Sequence, residues 1–321
     1  MQPSTMIHIA LTITPSYVRF CSVTMMSAMR NNPIRALVFH ILAKGLSEHD
    51  QQTLRELAAP YEDQVCFYNV EDKMLRGYTI RWEGKRLPMV VFYRCLLASI
   101  LPTDVQRVLY IDCDTLILSD LSPLWNAPLD DHPLAAVADE PVEINPAHAQ
   151  RLCYEISDNY FNGGVILFNL DYWRKHNLEE TCRDFYQKYP ERIRYNDQDL
   201  LNGLFHKSRI LLPARWNVQS NFYRLKKVNR YQDNQDFLQA MLHPGILHYS
   251  SRKPWQLYST HPLGHLFFHY QALTPWADKR MPRGWIDRLR QAWHQLPYTV
   301  HLKPKKYITH EEWNRLLQEK G

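Results

Sequence analysis

Apolar runs of strand length recur along this chain with stretches of helical period between them, and that alternation limits the fold more than any other feature. "IHIALTI" (Ile7–Ile13) precedes a helical pattern from Tyr17 to about Asn31. "RALVFHIL" (Arg35–Leu42) precedes a helix from Ser47, where Ser47 and Asp50 suit the first turn. "QVCFYNV", a helix over Met89–Leu101 and "RVLYIDCD" continue the series. Then come "LAAVAD" (Leu134–Asp139), "YFNGGVILFNL" (Tyr160–Leu170), a helix with Asp171 as N-cap, a helix near "DQDLLNGLF" (Asp197–Phe205) and a short strand in "GILHYS" (Gly245–Ser250). Strands separated by helices predict an α/β fold with a mostly parallel, doubly wound sheet. In such sheets ligands collect beyond the carboxyl ends of the strands.

The chain has 321 residues, enough for one large α/β domain with a C-terminal extension. Prolines, tryptophans and basic residues become dense near Pro275, so the boundary is placed at about residue 270. With 45% hydrophobic and 22% charged residues the chain can bury a sizeable core, and disorder is not indicated. The N-terminal stretch lacks a basic segment followed by an apolar block, and no segment reaches the ~18 apolar residues of a membrane span. The six cysteines have no Cys-x-x-Cys spacing and sit mostly in apolar surroundings, as reduced core thiols do. A cytoplasmic protein is expected.

The net charge of +5 favours anionic partners, and the stretch from Pro275 onward holds ten basic against five acidic residues. Within it, "GWIDRLRQAWHQL" (Gly284–Leu296) sets Trp285, Ile286, Leu289, Ala292, Trp293 and Leu296 at helical spacing, with Arg283, Arg288 and Arg290 nearby. Such a helix either lies peripherally on an anionic membrane or packs its apolar face on the main domain.

Two carboxylates, Asp112 and Asp114, stand at the end of the run "RVLYIDCDTLIL". Alternation within a strand would point both to one side, where their like charges repel unless a cation or hydrogen-bond donors intervene. Solvated turn residues are one reading. A hard divalent ion is the other, since magnesium and manganese take oxygen ligands and leave room for phosphate. A second pair, Asp197 and Asp199, opens a helix, where carboxylates also favour the N-terminal dipole. "HYSSRKPW" (His248–Trp255) offers His248 as a nitrogen ligand or a structural imidazole, and Arg252 or Lys253 as cations for a diphosphate.

"LYIDCDTLILSDLSPLW", "YFNGGVILFNLDYW", "YNDQDLLNGLF" and "HYSSRKPW", in this order, resemble glycosyltransferase family 8, over about residues 7 to 260. The family holds retaining sugar transferases, among them bacterial lipopolysaccharide galactosyl- and glucosyltransferases and glycogenin. The resemblance implies a GT-A fold, a Rossmann-like sheet that binds a UDP-sugar through a divalent ion, usually manganese, with magnesium an option. Residues 1–270 would be the catalytic domain, with nucleotide-sugar binding in about 7–140 and the donor and acceptor half in about 140–270. Residues 271–321 would be the basic extension. Asp112 and Asp114 match the metal-binding aspartates and His248 the third ligand. Lys253 matches the lysine on the diphosphate, and Arg94 an arginine reaching sugar and diphosphate. Asn162, Asp197 and Gln198 match positions lining the donor sugar, and Asp139 an acidic position near the acceptor.

The chain departs from the family twice. Thr14-Pro15-Ser16-Tyr17 stands where an acidic-Asn-Tyr stretch commonly grips uracil, so hydroxyls replace a carboxylate. The interval from His248 to Lys253 is one residue short, a shift of ~3 Å if extended, which brings Arg252 into the same role. The matched position facing the sugar is Gln198, a poor nucleophile. Front-face transfer is therefore expected, with Asp197 and Gln198 orienting the sugar and Lys253 on the leaving group. The acceptor would be a saccharide such as a lipid-linked oligosaccharide, and no nucleic-acid partner is expected. Two alternatives are a metal-dependent phosphohydrolase and a non-catalytic basic binding protein.

Overall fold

The computed structural model describes residues 6–34, 36–80, 88–139, 146–231, 233–257, 259–278 and 305–320, together with Trp285, Leu289, Arg290, Trp293, Leu296 and Pro297. Its first layer is as the alternation predicts: β1 (Ile7–Ile13), α1 (Val18–Asn31), β2 (Leu37–Ala43), α2 (Glu48–Ala58) and β3 (Gln64–Asn69). All of β2, "LVFHILA", is buried, as befits a parallel strand covered on both faces. Ser47 caps α2 by accepting from the backbone N–H of Asp50 at 3.1 Å.

The stretch expected as a helix over Met89–Leu101 is mostly 3₁₀, Met89–Leu96, with one α-turn after it, α3 (Leu97–Ile100). The two β-branched valines at its start, Val90 and Val91, lose rotamer freedom in an α-helix. β4 (Arg107–Ile111), β5 (Thr115–Ile117), α4 (Ser122–Trp125), β6 (Leu134–Ala138), α5 (Pro146–Leu152), β7 (Phe161–Asn169) and α6 (Leu170–Lys175) follow. Asn169, rather than Asp171, caps α6, accepting from the N–H of Tyr172 at 3.1 Å. Asp171 lies within the first turn, where its charge still suits the helix dipole. α7 (Leu178–Lys188), α8 (Asn196–Phe205) and β8 (Ile210–Leu212) complete the main body.

One sheet holds seven strands in the order β3-β2-β1-β4-β7-β6-β8. It is parallel at β3/β2, β2/β1, β1/β4 and β6/β8, and antiparallel at β4/β7 and β7/β6. This pattern gathers the site. The carboxyl ends of β1, β4 and β6 share an edge with the amino end of β7, so Thr14, Asp112, Asp139 and Asn162 all emerge there.

A second, small sheet was not readable from the sequence. It joins β9 (Val218–Gln219) and β10 (Ile246–His248) to β5, in the order β5-β10-β9. β10 runs antiparallel to β5, with Thr115 opposite His248, and parallel to β9, with Gln219 beside His248.

The expected boundary near residue 270 falls at the end of α11 (Gly264–Gln271), which follows the short helices α9 (Leu225–Arg230) and α10 (Gln235–Leu242). The chain then returns to the body. Ile308 N–H donates to Tyr223 O at 2.9 Å, and Leu225 N–H to Lys306 O at 3.1 Å. The closing helix, His310–Lys320, begins with a reciprocal cap between Thr309 and Glu312, at 2.6 and 3.1 Å. Its Trp313, Leu316 and Leu317 pack on the cluster around Phe222, Phe237 and Met241. All six cysteines are free, with only Cys66 and Cys153 outside the buried class. No helix among the described residues is long and apolar enough to cross a membrane.

Candidate active site

Asp112 and Asp114 flank a turn rather than lie in a strand, because β4 ends at Ile111. The turn is held on three sides. Asp112 N–H donates to Gly164 O at 2.8 Å, Thr115 Oγ1 donates to Asp112 O at 2.9 Å, and Tyr249 N–H donates to Asp114 O at 2.9 Å. The two carboxylates therefore face one corner through backbone restraint, not through strand alternation.

His248, at the end of β10, closes the corner. One ligand atom each from Asp112, Asp114 and His248 lie within 4.8 Å of one another. His248 Nε2 is 3.3 Å from Asp114 Oδ1. Two carboxylate oxygens and an imidazole nitrogen suit magnesium or manganese, so the donor set fits a divalent cation. Lys253 Nζ pairs with Asp114 Oδ2 and also donates to Tyr249 O at 2.7 Å. Burial alone would push the Asp114 carboxyl up, but the Lys253 ammonium and then His248 hold it well below the ordinary range. The shortened interval thus still delivers Lys253 to the corner, while Arg252 is exposed on the same loop.

Arg94 joins the cation corner to the second aspartate pair. Its guanidinium is buried, donates from Nη2 to Asp112 Oδ1 at 2.9 Å and from Nη1 to Gly163 O, and lies with Nε 3.1 Å from Asp197 Oδ2. It also covers the ring of Tyr110, 4.2 Å from the centroid, whose hydroxyl donates to Asp112 Oδ1 at 2.6 Å. Burial works against charge on Arg94, yet Asp112 and Asp197 more than offset it and keep it cationic.

The two aspartates of the second pair separate by role. Asp199 is fully buried and accepts from Arg194 N at 2.7 Å, Tyr195 N at 2.8 Å, Arg151 Nη1 at 2.9 Å and Tyr160 OH at 2.8 Å. It is a structural knot. Asp197 instead faces Arg94, and burial pushes its carboxyl up to about 6 despite that cation. Gln198 accepts at Oε1 from Gly163 N–H at 3.0 Å and Asn162 Nδ2 at 3.4 Å, and donates from Nε2 to Asp139 Oδ2 at 3.2 Å. Burial likewise pushes Asp139 up to about 6.

At the end of β1, Tyr17 N–H donates to Thr14 O at 2.8 Å, and the Thr14 and Ser16 hydroxyls are hydrogen-bonded at 2.9 Å. The Tyr17 hydroxyl is pushed up to about 12, first by burial and next by the field of Asp114. Thr14, Asp112, Asp139 and Asn162 thus lie at this one edge, with Arg94, Asp197 and Gln198 joined to it by hydrogen bonds or ion pairs and Arg252 on the loop of Lys253.

The sequence did not reveal Tyr110, Asn217 or Gln219. Asn217 and Gln219 are buried beside His248, in a 3₁₀ turn (Ala214–Asn217) and a strand too short to leave a pattern. Gly163 and Gly164 did leave one, since paired glycines inside a strand indicate close approach of another group. A Cβ on Gly164 would overlap the His248 ring and lie 2.9 Å from Asp112 Oδ2. One on Gly163 would lie 2.9 Å from Arg94 Nη1.

The sheet order and this edge define the GT-A class of glycosyltransferases. The fold is similar to that of the galactosyltransferase LgtC solved with donor and acceptor sugar analogs, with a TM-score of 0.73 at 24% identity over 84% of this chain and 96% of that one. The family comparison is narrower: the model described as glycosyl transferase family 8 matches residues 8–258, and the chain belongs to that family. General stress protein A of Bacillus subtilis is 25% identical over 284 residues, 86% of this chain and 96% of that protein. The lipopolysaccharide 1,3-galactosyltransferase of Salmonella typhimurium is 26% identical over 312 residues, 94% of this chain and 87% of that protein. The chain is a glycosyltransferase, and the phosphohydrolase and binding-protein alternatives fall away.

Proposed function

We propose that this protein is a retaining, divalent-metal-dependent hexosyltransferase that moves glucose or galactose from a UDP-sugar to a saccharide acceptor in lipopolysaccharide or another surface glycan. The observation that carries the reading is the meeting of Asp112, Asp114 and His248 within 4.8 Å, beside Lys253 and Arg94. A divalent cation held there, manganese by preference, supplies a Lewis acid for the charge that develops on the departing diphosphate. Lys253 adds a positioned cation at the same corner, and Arg94 reaches from the corner to Asp197 on the sugar side.

Retention by double displacement needs a carboxylate on the face opposite the leaving group. The resemblance assigns that position to Gln198, and the reading is supported by its oxygen already accepting from Gly163 N–H. Front-face transfer fits this wall better: Asp197 and Gln198 orient the sugar, Asn162 lines it, Asp139 faces the acceptor, and a departing phosphate oxygen takes the acceptor's proton. Thr14, Ser16 and Tyr17 hold the uracil end through hydroxyls.

A panel of UDP-sugars incubated with the protein and manganese is expected to show hydrolysis of UDP-glucose or UDP-galactose that chelation abolishes. Anomeric proton NMR of a transfer product is expected to show retained configuration. Turnover indifferent to chelation, or a trapped glycosyl adduct on Asp197, would overturn the respective halves of the reading.

The acceptor side of the proposal includes the membrane. Trp285, Leu289, Trp293 and Leu296 fall on one helical face and are 72%, 52%, 74% and 47% exposed, which supports a surface-binding face. Arg283, Gly284, Ile286, Arg288 and Ala292 of the same expected helix lie outside the described residues. An apolar face in a stretch with ten basic and five acidic residues suits the surface of an anionic bilayer, where lipid-linked acceptors reside. The full chain is expected to cosediment with phosphatidylglycerol vesicles but weakly with phosphatidylcholine. Replacing Trp285 and Trp293 by serine is expected to weaken binding at least about tenfold, as burial of a large apolar side chain contributes roughly 1.5–3 kcal/mol. Equal binding by the double variant would exclude this face.

A further inference from the structure

His248 can serve a cation through Nε2 only if that nitrogen carries a lone pair, which in a neutral imidazole requires the proton on Nδ1. The surrounding hydrogen bonds decide this, and their direction can be followed from a group that has no choice. Gly164 N–H can only donate, and it meets Asn162 Oδ1 at 2.9 Å, so that atom of Asn162 is the oxygen. The same oxygen meets the Asn217 amide at 2.9 Å, so Asn217 presents its NH2 there. Asn217 must then turn its oxygen toward His248 Nδ1, 2.9 Å away. An amide oxygen only accepts, so Nδ1 is the protonated nitrogen and Nε2, 3.3 Å from Asp114 Oδ1, is left to face the cation corner.

We propose that Asn217 is a positioning residue that fixes His248 in its Nδ1–H tautomer and aims the Nε2 lone pair at the cation. The inference rests on the reading of Asp112, Asp114 and His248 as a cation site. Asn217 and His248 are both buried, so no water route substitutes for the lost acceptor at low cost. Partners of this kind are worth roughly 10–100-fold in metal affinity elsewhere. The relay starts inside the "FNGG" strand and ends at a ligand contributed by β10, so the motif acts on the cation through Asn217 as well as by close approach.

Two measurements test it. Proton–nitrogen correlation NMR of histidine-labelled, metal-free protein, at a pH where His248 is neutral, is expected to show the proton on Nδ1. A proton on Nε2 overturns the proposal without any variant. Manganese titration, read as free manganese by electron paramagnetic resonance in the presence of UDP, gives the second measurement. Asn217→Ala is expected to lose about 10–100-fold in affinity, whereas Asn217→Asp, which still accepts from Nδ1 but gives up the donation to Asn162 Oδ1, is expected to lose measurably less than Asn217→Ala. Equal losses in both variants, or none in either, would overturn the positioning role. Failure of the parent chain itself to bind manganese would overturn the cation reading instead, with the tautomer measurement still deciding the relay.

Discussion

Asp114→Asn is expected to lower sugar transfer by about 10³-fold while leaving the fold intact, the magnitude associated with removing a preorganised electrostatic contact to the transition state. The substitution keeps the shape of the side chain and removes its charge. That charge faces His248 Nε2 at 3.3 Å and pairs with Lys253, so its loss weakens the cation's hold and frees Lys253 at the same time. kcat/KM for the UDP-sugar at saturating manganese, compared in metal-stripped and metal-supplemented buffers, reads the effect. Asp112→Asn is expected to match it in activity and to differ in stability. Asp112 Oδ1 accepts from both Arg94 Nη2 and Tyr110 OH, and a neutral amide leaves the buried guanidinium with only Asp197 to balance it. Its melting temperature should therefore fall further than that of Asp114→Asn. Turnover like the parent chain's in either variant would exclude the cation model.

Gly164→Ala is expected to be nearly as damaging, though it removes no functional group. Alanine would ordinarily stabilise a strand position with permissive backbone angles by about 0.4–1 kcal/mol, by restricting the unfolded chain. Here the added methyl group overlaps the His248 ring and comes within 2.9 Å of Asp112 Oδ2 and His248 Nδ1. Asn217 holds that ring nitrogen, and Arg94 and Tyr110 hold the same carboxylate through Oδ1, so neither group gives way without disturbing the hydrogen bonds that aim it. Manganese affinity is expected to drop by more than about 100-fold, beyond the effect of losing one supporting hydrogen bond. Affinity unchanged in a folded Gly164→Ala protein would mean that His248 and Asp112 can separate without cost to the site.

The half of the fold built on local period was legible in the sequence. β1, β2 and β4, with α1 and α2 between the first strands, appear as apolar runs because these strands are buried by helices packed over the sheet, while β3, at the sheet edge, is only half-buried. The site was legible where side chains of unusual cost stand in apolar company, as with Asp112 and Asp114 after "VLYI". Legibility ended where contacts are long-range and elements short. β9 contributes two residues, too few for any period to be recognised, and β10 was legible as a short strand but not its pairing with β5 and β9, which places Gln219 beside His248. Asn217 looks like one polar loop residue among many, since its meaning lies in Asn162 and His248, far off in the chain. Asp171 illustrates a different limit, because local chemistry favours Asn169 and Asp171 alike as caps and only the turn of the backbone chooses.

The antiparallel ladder between β5 and β10 sets Thr115 directly opposite His248. Asp114 and His248 are therefore neighbours only because of a pairing that spans more than a hundred positions of chain. During synthesis, the ribosome releases the aspartate turn long before the segment that supplies the imidazole and Lys253. A nascent chain carrying only the earlier part already holds Asp112 with Arg94 and Tyr110, but leaves Asp114 without the imidazole and the ammonium that flank it. The corner is complete only once the small sheet has closed. Slow, non-local closure of that kind is the phase most open to misassembly.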